Sequence, residues 1–203
     1  MDWSVDIKGH CLEFIEDTHQ YLVDGLMVDS VTQILSKKYA HKFDGVPDKV
    51  LRSAANKGTE LHEHIERYCK EGIESELPEF RNFLFLQKQY KFEVLENEVP
   101  VILWDDGIPV AAGRLDMIIN MDGKMGIADI KRVSVLDKAY LADQLNLYRI
   151  ALKQSYDTDC EFLRGIHLRE DVRKFVPIPI NEAMARQLIK DYLGGKYDTE
   201  NQQ

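Results

Sequence analysis

The chain has 203 residues, 44% hydrophobic and 30% charged, which suits one globular domain able to bury a core without disulfide staples. No apolar run reaches the ~18 residues of a membrane span, and the opening MDWSVDIKGH lacks the basic-then-apolar pattern of a leader, so a cytoplasmic protein with no membrane partner is expected. The excess of 35 Asp and Glu over 26 Lys and Arg, a net charge of −9, argues against a protein that coats nucleic acid through bulk charge; phosphate binding would have to be local or metal-assisted.

Element signals then follow in chain order. CLEFIE (11–16) and HQYLV (19–23) alternate like strands, with Asp24-Gly25 as a hairpin turn into Leu26-Met27-Val28. Asp29 or Ser30 can cap a short helix, VTQILSKKY. Pro47 opens a helix over DKVLRSAAN, which Gly58 is expected to interrupt. Thr59 then caps ELHEHIERYCKEG, where Leu61, Ile65 and Tyr68 form an apolar stripe and Gly72 marks the end. A helix is expected over PEFRNFLFLQKQYKF, then strands over EVLENEVPVILW, VAAGRLDMIINM and KMGIADIKRV.

A helix rich in Leu and Ala, DKAYLADQLNLYRIALKQ, precedes two more strands, EFLRGIHL and VRKFVPIPI. Pro177 and Pro179 place the second of these at a sheet edge. Asn181 caps a last helix expected to stop at Gly194-Gly195. These elements predict an α/β (α+β) domain, a mixed central sheet flanked by helices. Residues 1–57 read as an N-terminal hairpin and helix extension, 58–198 as the core, and 199–203 as a flexible tail.

The three cysteines, Cys11, Cys69 and Cys160, are odd in number and far apart, which argues against a disulfide framework, a paired zinc site or a four-cysteine iron–sulfur cluster. Chemistry concentrates instead in residues 110–133. Asp122-Gly123 is a strong signal for a two-residue turn, and counting back from it sets Asp116 opposite Asp129. Facing side chains in such a pair are only about 5 Å apart. Lys131 shares their face by the period-two rule, while Leu115, Met117, Ile119, Met121, Ala128 and Ile130 take the other, core-facing side.

Opposed carboxylates are destabilising unless a cation or a shared proton relieves them. Oxygen ligands of this kind suit Mg²⁺ or Mn²⁺, and a neighbouring lysine can orient a water and offset charge on a phosphate. The competing reading is a solvated strand face on which Lys131 and Arg114 merely pair the aspartates.

Five stretches in order, Gly58-Thr59-Glu60-Leu61-His62, Glu98, Gly113-Arg114-Leu115-Asp116, Asp129-Ile130-Lys131 and Gln144 with Tyr148, resemble the PD-(D/E)xK nuclease superfamily, in particular RecB-like, phage-type exonuclease domains. The superfamily's Pro-Asp is replaced here by Leu115-Asp116, and the cysteine cluster of some relatives is absent, so no iron–sulfur cluster is expected. The resemblance implies a restriction-endonuclease-like core and a Mg²⁺- or Mn²⁺-dependent nuclease that hydrolyses DNA, an exonuclease of phage-type recombination or repair.

The resemblance makes Asp116 and Asp129 the main metal ligands, with the Ile130 carbonyl and His62 completing the set. It makes Lys131 the group that positions or activates water and Glu98 an assistant, with Glu96 as a rival on the same strand face. It turns Gln144, Tyr148 and Arg114 toward substrate, although Tyr148 also fits a buried stripe with Leu141, Leu145 and Leu152. Arg132, Lys138, Arg149 and Lys153 are further cations near the region. DNA ends are the implied partner, and the resemblance admits a recombination-protein partner and a homo-oligomer. Two alternatives stay open: a catalytically inactive nuclease-fold binding module, and a structure-specific endonuclease or RNA-acting nuclease.

Overall fold

The computed structural model describes residues 2–36, 38–40 and 45–200, with backbone alone for residues 48 and 196–200. Four short strands open the chain as an antiparallel meander: β1 (Trp3–Ile7), β2 (His10–Ile15), β3 (Gln20–Val23) and β4 (Leu26–Ser30). Strand β1 is not among the strands expected above, although Trp3, Val5 and Ile7 alternate like a half-buried strand. Helix α1 (Val31–Ser36) starts from a reciprocal cap: Gln33 N–H donates to Ser30 Oγ at 3.1 Å, and Ser30 N–H donates to the Gln33 side-chain oxygen. Ser30 is thus the cap, while Asp29 accepts from the Tyr192 hydroxyl. The helix is shorter than the expected 31–39, and residue 37 of that span lies outside the described residues.

Helix α2 (Asp48–Glu71) corrects the expectation of a break, for it runs unbroken through Gly58 and Thr59. A lone glycine costs a helix only about 1 kcal/mol, which the buried Leu61 and Ile65 of the same helix outweigh. The boundary expected between residues 57 and 58 therefore falls inside one helix. Helix α3 (Pro78–Tyr90) follows, with proline in its first turn.

The long strands β5 (Glu93–Asp105), β6 (Ile108–Met121) and β7 (Lys124–Lys131) form the centre of the sheet. Asp122 and Gly123 both take left-handed φ, 54° and 78°, as a two-residue hairpin turn matched to strand twist requires. The predicted register holds from Met121↔Lys124 to Met117↔Ala128.

Helix α4 (Lys138–Tyr156) starts at Asp137, whose carboxylate accepts from Tyr140 N–H. It carries the chain over to β8 (Phe162–Arg169), parallel to β7, and β9 (Val172–Ile178) closes that end of the sheet, an edge position that suits Pro177. Asn181 caps α5 (Glu182–Glu200) by accepting from Met184 N–H. The helix runs on through Gly194-Gly195, correcting the expected stop, because neither glycine takes the left-handed backbone that ends a helix. The tail expected at 199–203 lies, from residue 201, outside the described residues.

The described strands thus form one mixed sheet with helices on both faces, the α/β (α+β) architecture expected. One layer packs Leu141, Leu145, Leu152 and Ile189 against Ile118, Ile127 and Leu163. The other packs Leu61, Ile65, Phe80 and Phe83 against Met117, Ile119, Ala128 and Ile130. Both faces of the β6–β7 hairpin are buried, which overturns the picture of a solvated charged face. Leu115 also departs from expectation, joining the α4 layer and not that of Met117. Among the described residues, no helix is long and apolar enough to cross a membrane.

One topological detail positions the site. Strand β6 pairs along one edge with β5, while its other edge is divided between β4, parallel at Ala111 and Ala112, and β7, antiparallel from Met117 onward. Residues 113–116 lie in the gap between those two partners.

Candidate metal centre

The chemistry expected at the β6–β7 hairpin sits where its ladder stops. Beyond Met117↔Ala128 the Asp116 carboxylate takes over the bonding, accepting from Ile130 N–H at 2.6 Å. A side chain thereby satisfies a backbone donor that a continued ladder would have used. Across the other edge, Asn97↔Met117 and Val99↔Leu115 place Glu98 opposite Asp116. Glu98 adopts φ 52°, a left-handed backbone unusual for a side chain of its kind and common at functional sites. The pairing runs without a shift from Glu96↔Ile118 to Val99↔Leu115, so it is the left-handed backbone at Glu98 itself that sets it apart from Glu96. Glu96 is exposed and its field falls on Tyr156, which leaves Glu98 as the carboxylate at the site.

Leu61 and Ile65 anchor α2 in the second layer, and the intervening His62 reaches the end of the hairpin. Its Nε2 lies 3.2 Å from the Ile130 carbonyl oxygen. Its Nδ1 lies 3.6 Å from Glu98 and 3.7 Å from Asp116. One ligand atom each from His62, Glu98 and Asp116 falls within 4.8 Å of the others, a spacing that can hold a cation. Asp129, only 2% exposed, stands just beyond this group, with Lys131 Nζ 2.7 Å from its Oδ2. That close approach makes Lys131 the charge partner of a carboxylate that is otherwise buried. Arg114 pairs with Glu98 at 2.5 Å.

The fields of these groups are strongly coupled. Burial raises the Asp129 pKa, Asp116 raises it further, and Lys131 pulls it back, leaving it at about 6. Burial works to lower the His62 pKa, but Asp116, Glu98 and Asp129 outweigh it and carry it up to about 9. Lys131 is likewise opposed by burial and held above its ordinary value by Asp129 and Asp116. The centre therefore favours positive charge, and the proton on His62 supplies part of it. The donors are one imidazole, two or three carboxylates and a backbone carbonyl, a set that could hold a divalent cation.

Gln144 and Tyr148 project from α4 toward the same region. Gln144 is buried, and its side-chain oxygen finds no hydrogen-bond partner among the described residues. Tyr148 joins Leu141, Leu145 and Leu152 in the buried layer, yet the fields of Asp116, Asp129 and Glu98 all reach its hydroxyl. Its place in the buried stripe is as foreseen. Gly113 makes this possible: a Cβ there would stand 3.1 Å from the Tyr148 hydroxyl and 3.4 Å from Val31. Gly113→Val should therefore cost about 1–3 kcal/mol in urea denaturation, as overpacking at a close contact does; a neutral result would mean that Tyr148 moves freely.

Among the basic residues foreseen nearby, several are engaged elsewhere. Arg132 pairs with Glu79, Arg149 binds the Cys160 carbonyl and Glu182, and Lys153 binds Asp159. His167 is a neighbour of the site that no sequence motif marks. It is 4% exposed, faces Lys131 across β7–β8, and lies with Nε2 2.7 Å from the Val133 carbonyl, holding the segment that follows the lysine. Its Nδ1 has no hydrogen-bond partner among the described residues. A parallel register reached through a 19-residue helix has no local signal that could have revealed this neighbour.

No protein-family model and no curated protein matches the chain. Among solved structures, one described as "Crystal structure of SSO0001" is similar over 82% of this chain and 75% of that one, at 19% identity and a TM-score of 0.47. A likeness at that level carries no functional argument.

Proposed function

We propose that the chain is a divalent-metal-dependent nuclease that hydrolyses DNA phosphodiester bonds in the cytoplasm, acting from an end as in phage-type recombination or repair. The observation that carries this reading is the gathering of His62, Glu98 and Asp116 within 4.8 Å, beside the buried Asp129–Lys131 pair. The mixed sheet between helices is compatible with the nuclease core that the five-motif resemblance implies.

His62, Asp116, Asp129 and the Ile130 carbonyl would hold Mg²⁺ or Mn²⁺, with Glu98 completing or orienting the set. When bound, such a metal supplies Lewis acidity and a more acidic water at a phosphate. Lys131, tethered by Asp129, holds an ammonium where it can donate to the attacking water or to a phosphate oxygen. Gln144, whose buried amide oxygen has no hydrogen-bond partner among the described residues, and Arg114, whose guanidinium lies beside Glu98, would be the residues that meet substrate.

The test is incubation of end-labelled single- and double-stranded DNA with Mg²⁺ or Mn²⁺. Wild type should cleave, EDTA should stop it, and Lys131→Ala should slow it by roughly 10²- to 10⁴-fold with an unchanged circular dichroism spectrum. Equal cleavage by Lys131→Ala would sink the assignment of that residue.

A second reading, a nuclease-fold binding module without catalysis, draws on the self-compensation of the centre: His62, Arg114 and Lys131 already offset its carboxylates. Calorimetric titration separates the two, since a module of this kind binds no Mn²⁺.

A further inference from the structure

Lys131 faces two ways: it pairs with Asp129, and it also lines one end of a cleft of about 770 Å³. The cleft runs between the first half of α2 and the segment 132–137 that joins β7 to α4. Its cations are Lys49 and Lys57 on α2, Lys131, and Arg169 at the end of β8, which is loosely paired at 4.0 Å with the exposed Asp171, whereas Asp137 is the one acidic residue among its described lining. Arg132 also lines it, but Glu79 already binds that guanidinium. In a chain of net charge −9, this is a local concentration of positive charge leading to the candidate metal centre.

The same walls expose apolar side chains: Val50 is 55% exposed, Val133 39% and Val135 81%, and the half-buried Tyr140 ring, packed edge-to-face with Tyr39, lines the cleft beside them. Tyr140 lies close enough to Lys131 and Asp129 to feel both charges, so it stands where the cleft meets the centre. A duplex turns its phosphates outward and keeps its bases stacked inside, so it has no use for valines at the floor of a basic groove. An unpaired strand presents both phosphates and apolar base faces, and the cleft offers partners for each. Its volume is that of a site for a drug-sized ligand, enough for a few nucleotides.

We infer that the cleft between α2 and the β7–α4 segment is a track for an unpaired polynucleotide strand, with Lys49, Lys57 and Arg169 on its phosphates and Tyr140 stacking on a base next to the metal centre. This rests on the nuclease reading above and adds a substrate form to it: the strand is separated before it is cut. DNA and RNA strands share this chemistry, and the experiment below distinguishes them.

The experiment is fluorescence anisotropy in EDTA with labelled oligodeoxythymidylate, oligouridylate and a blunt DNA duplex of equal length, alongside the cleavage assay. Wild type should bind at least one of the two single strands more tightly than the duplex, the tighter one marking the sugar that is preferred. The Lys49→Ala/Lys57→Ala double variant should bind that strand roughly tenfold more weakly, and its salt slope should fall by about 1.4. Tyr140→Ala should lose roughly tenfold with an unchanged slope, as stacking predicts. Mn²⁺ affinity and circular dichroism of the double variant should match wild type, showing an intact fold and centre.

If wild type cleaves DNA while the variants bind single strands as it does, the track is overturned and the nuclease reading stands. Equal losses for single strand and duplex also overturn it. If wild type neither binds nor cleaves any of the three, both readings fall.

Discussion

Asp129→Asn should abolish metal-dependent cleavage and at the same time raise the melting temperature of the metal-free protein at pH 8. Asparagine matches aspartate in shape but cannot carry the charge that burial and Asp116 penalise. The sign follows from where the proton sits. The folded state raises the Asp129 pKa from 3.8 to about 6, so it binds this proton more tightly than the unfolded chain does. The associated stability is complete below about pH 4 and is lost as pH rises through about 6. Above that, the fold carries an ionised carboxylate it disfavours, and the amide removes the penalty. Each kcal/mol recovered is worth about 2–4 °C in a domain of this size. Melts in EDTA at pH 4.5 and pH 8 check it: stabilisation should appear at pH 8 and shrink toward zero at pH 4.5. Equal effects at both values would show that the charge of Asp129 costs nothing. Stability gained where activity is lost is the pattern expected of a residue kept for function.

Mn²⁺ binding near pH 7 should release close to one proton, and the affinity should rise about tenfold per pH unit from pH 7 to pH 9. Without metal, His62 carries a proton because the surrounding carboxylates hold its pKa at about 9. As imidazolium it donates from Nε2 to the Ile130 carbonyl and points Nδ1 at Glu98 and Asp116. A metal ion bound among these groups displaces that proton. Calorimetry in buffers of different ionisation enthalpy measures the release, and a heat independent of buffer would exclude His62 from the coordination set. His62→Ala should bind Mn²⁺ on the order of 100-fold more weakly and release no proton. In the metal-free protein, the stability that His62 contributes is complete below its ordinary pKa of 6.5 and disappears as pH rises through about 9. It therefore adds to the Asp129 trend, both groups favouring lower pH.

The hairpin shows where sequence reasoning succeeds and where it stops. Asp122-Gly123 is a local signal with a local cause, and every pair up to Met117↔Ala128 follows from it. Asp116 then breaks the counting rule, because its carboxylate competes with the backbone for Ile130 N–H. The choice between Glu96 and Glu98 was equally closed to pattern reading: strict alternation puts both on one face, and the left-handed backbone at Glu98 separates them. At Gly58 the local propensity was real but small, and the burial of Leu61 and Ile65 overrode it. His62 had no signal of its own beyond the resemblance, since its neighbours at the site come from β5, β6 and β7. The cleft was invisible for the same reason, as Lys49 and Arg169 meet only in three dimensions.

The divided edge of β6 has a consequence for the order in which the molecule is made. The meander β1–β4 consists of tight hairpins between neighbouring segments and can zip up within microseconds of synthesis. Its attachment to the rest, through Asp29↔Ala111 and Ser30↔Ala112, joins positions about 80 residues apart and must wait for β6. The parallel β7–β8 pairing waits longer still, for all of α4. Residues 113–116 are framed only when the β4–β6 contact of high sequence separation has closed beside the local β6–β7 hairpin, so affinity for a cation should emerge late in folding.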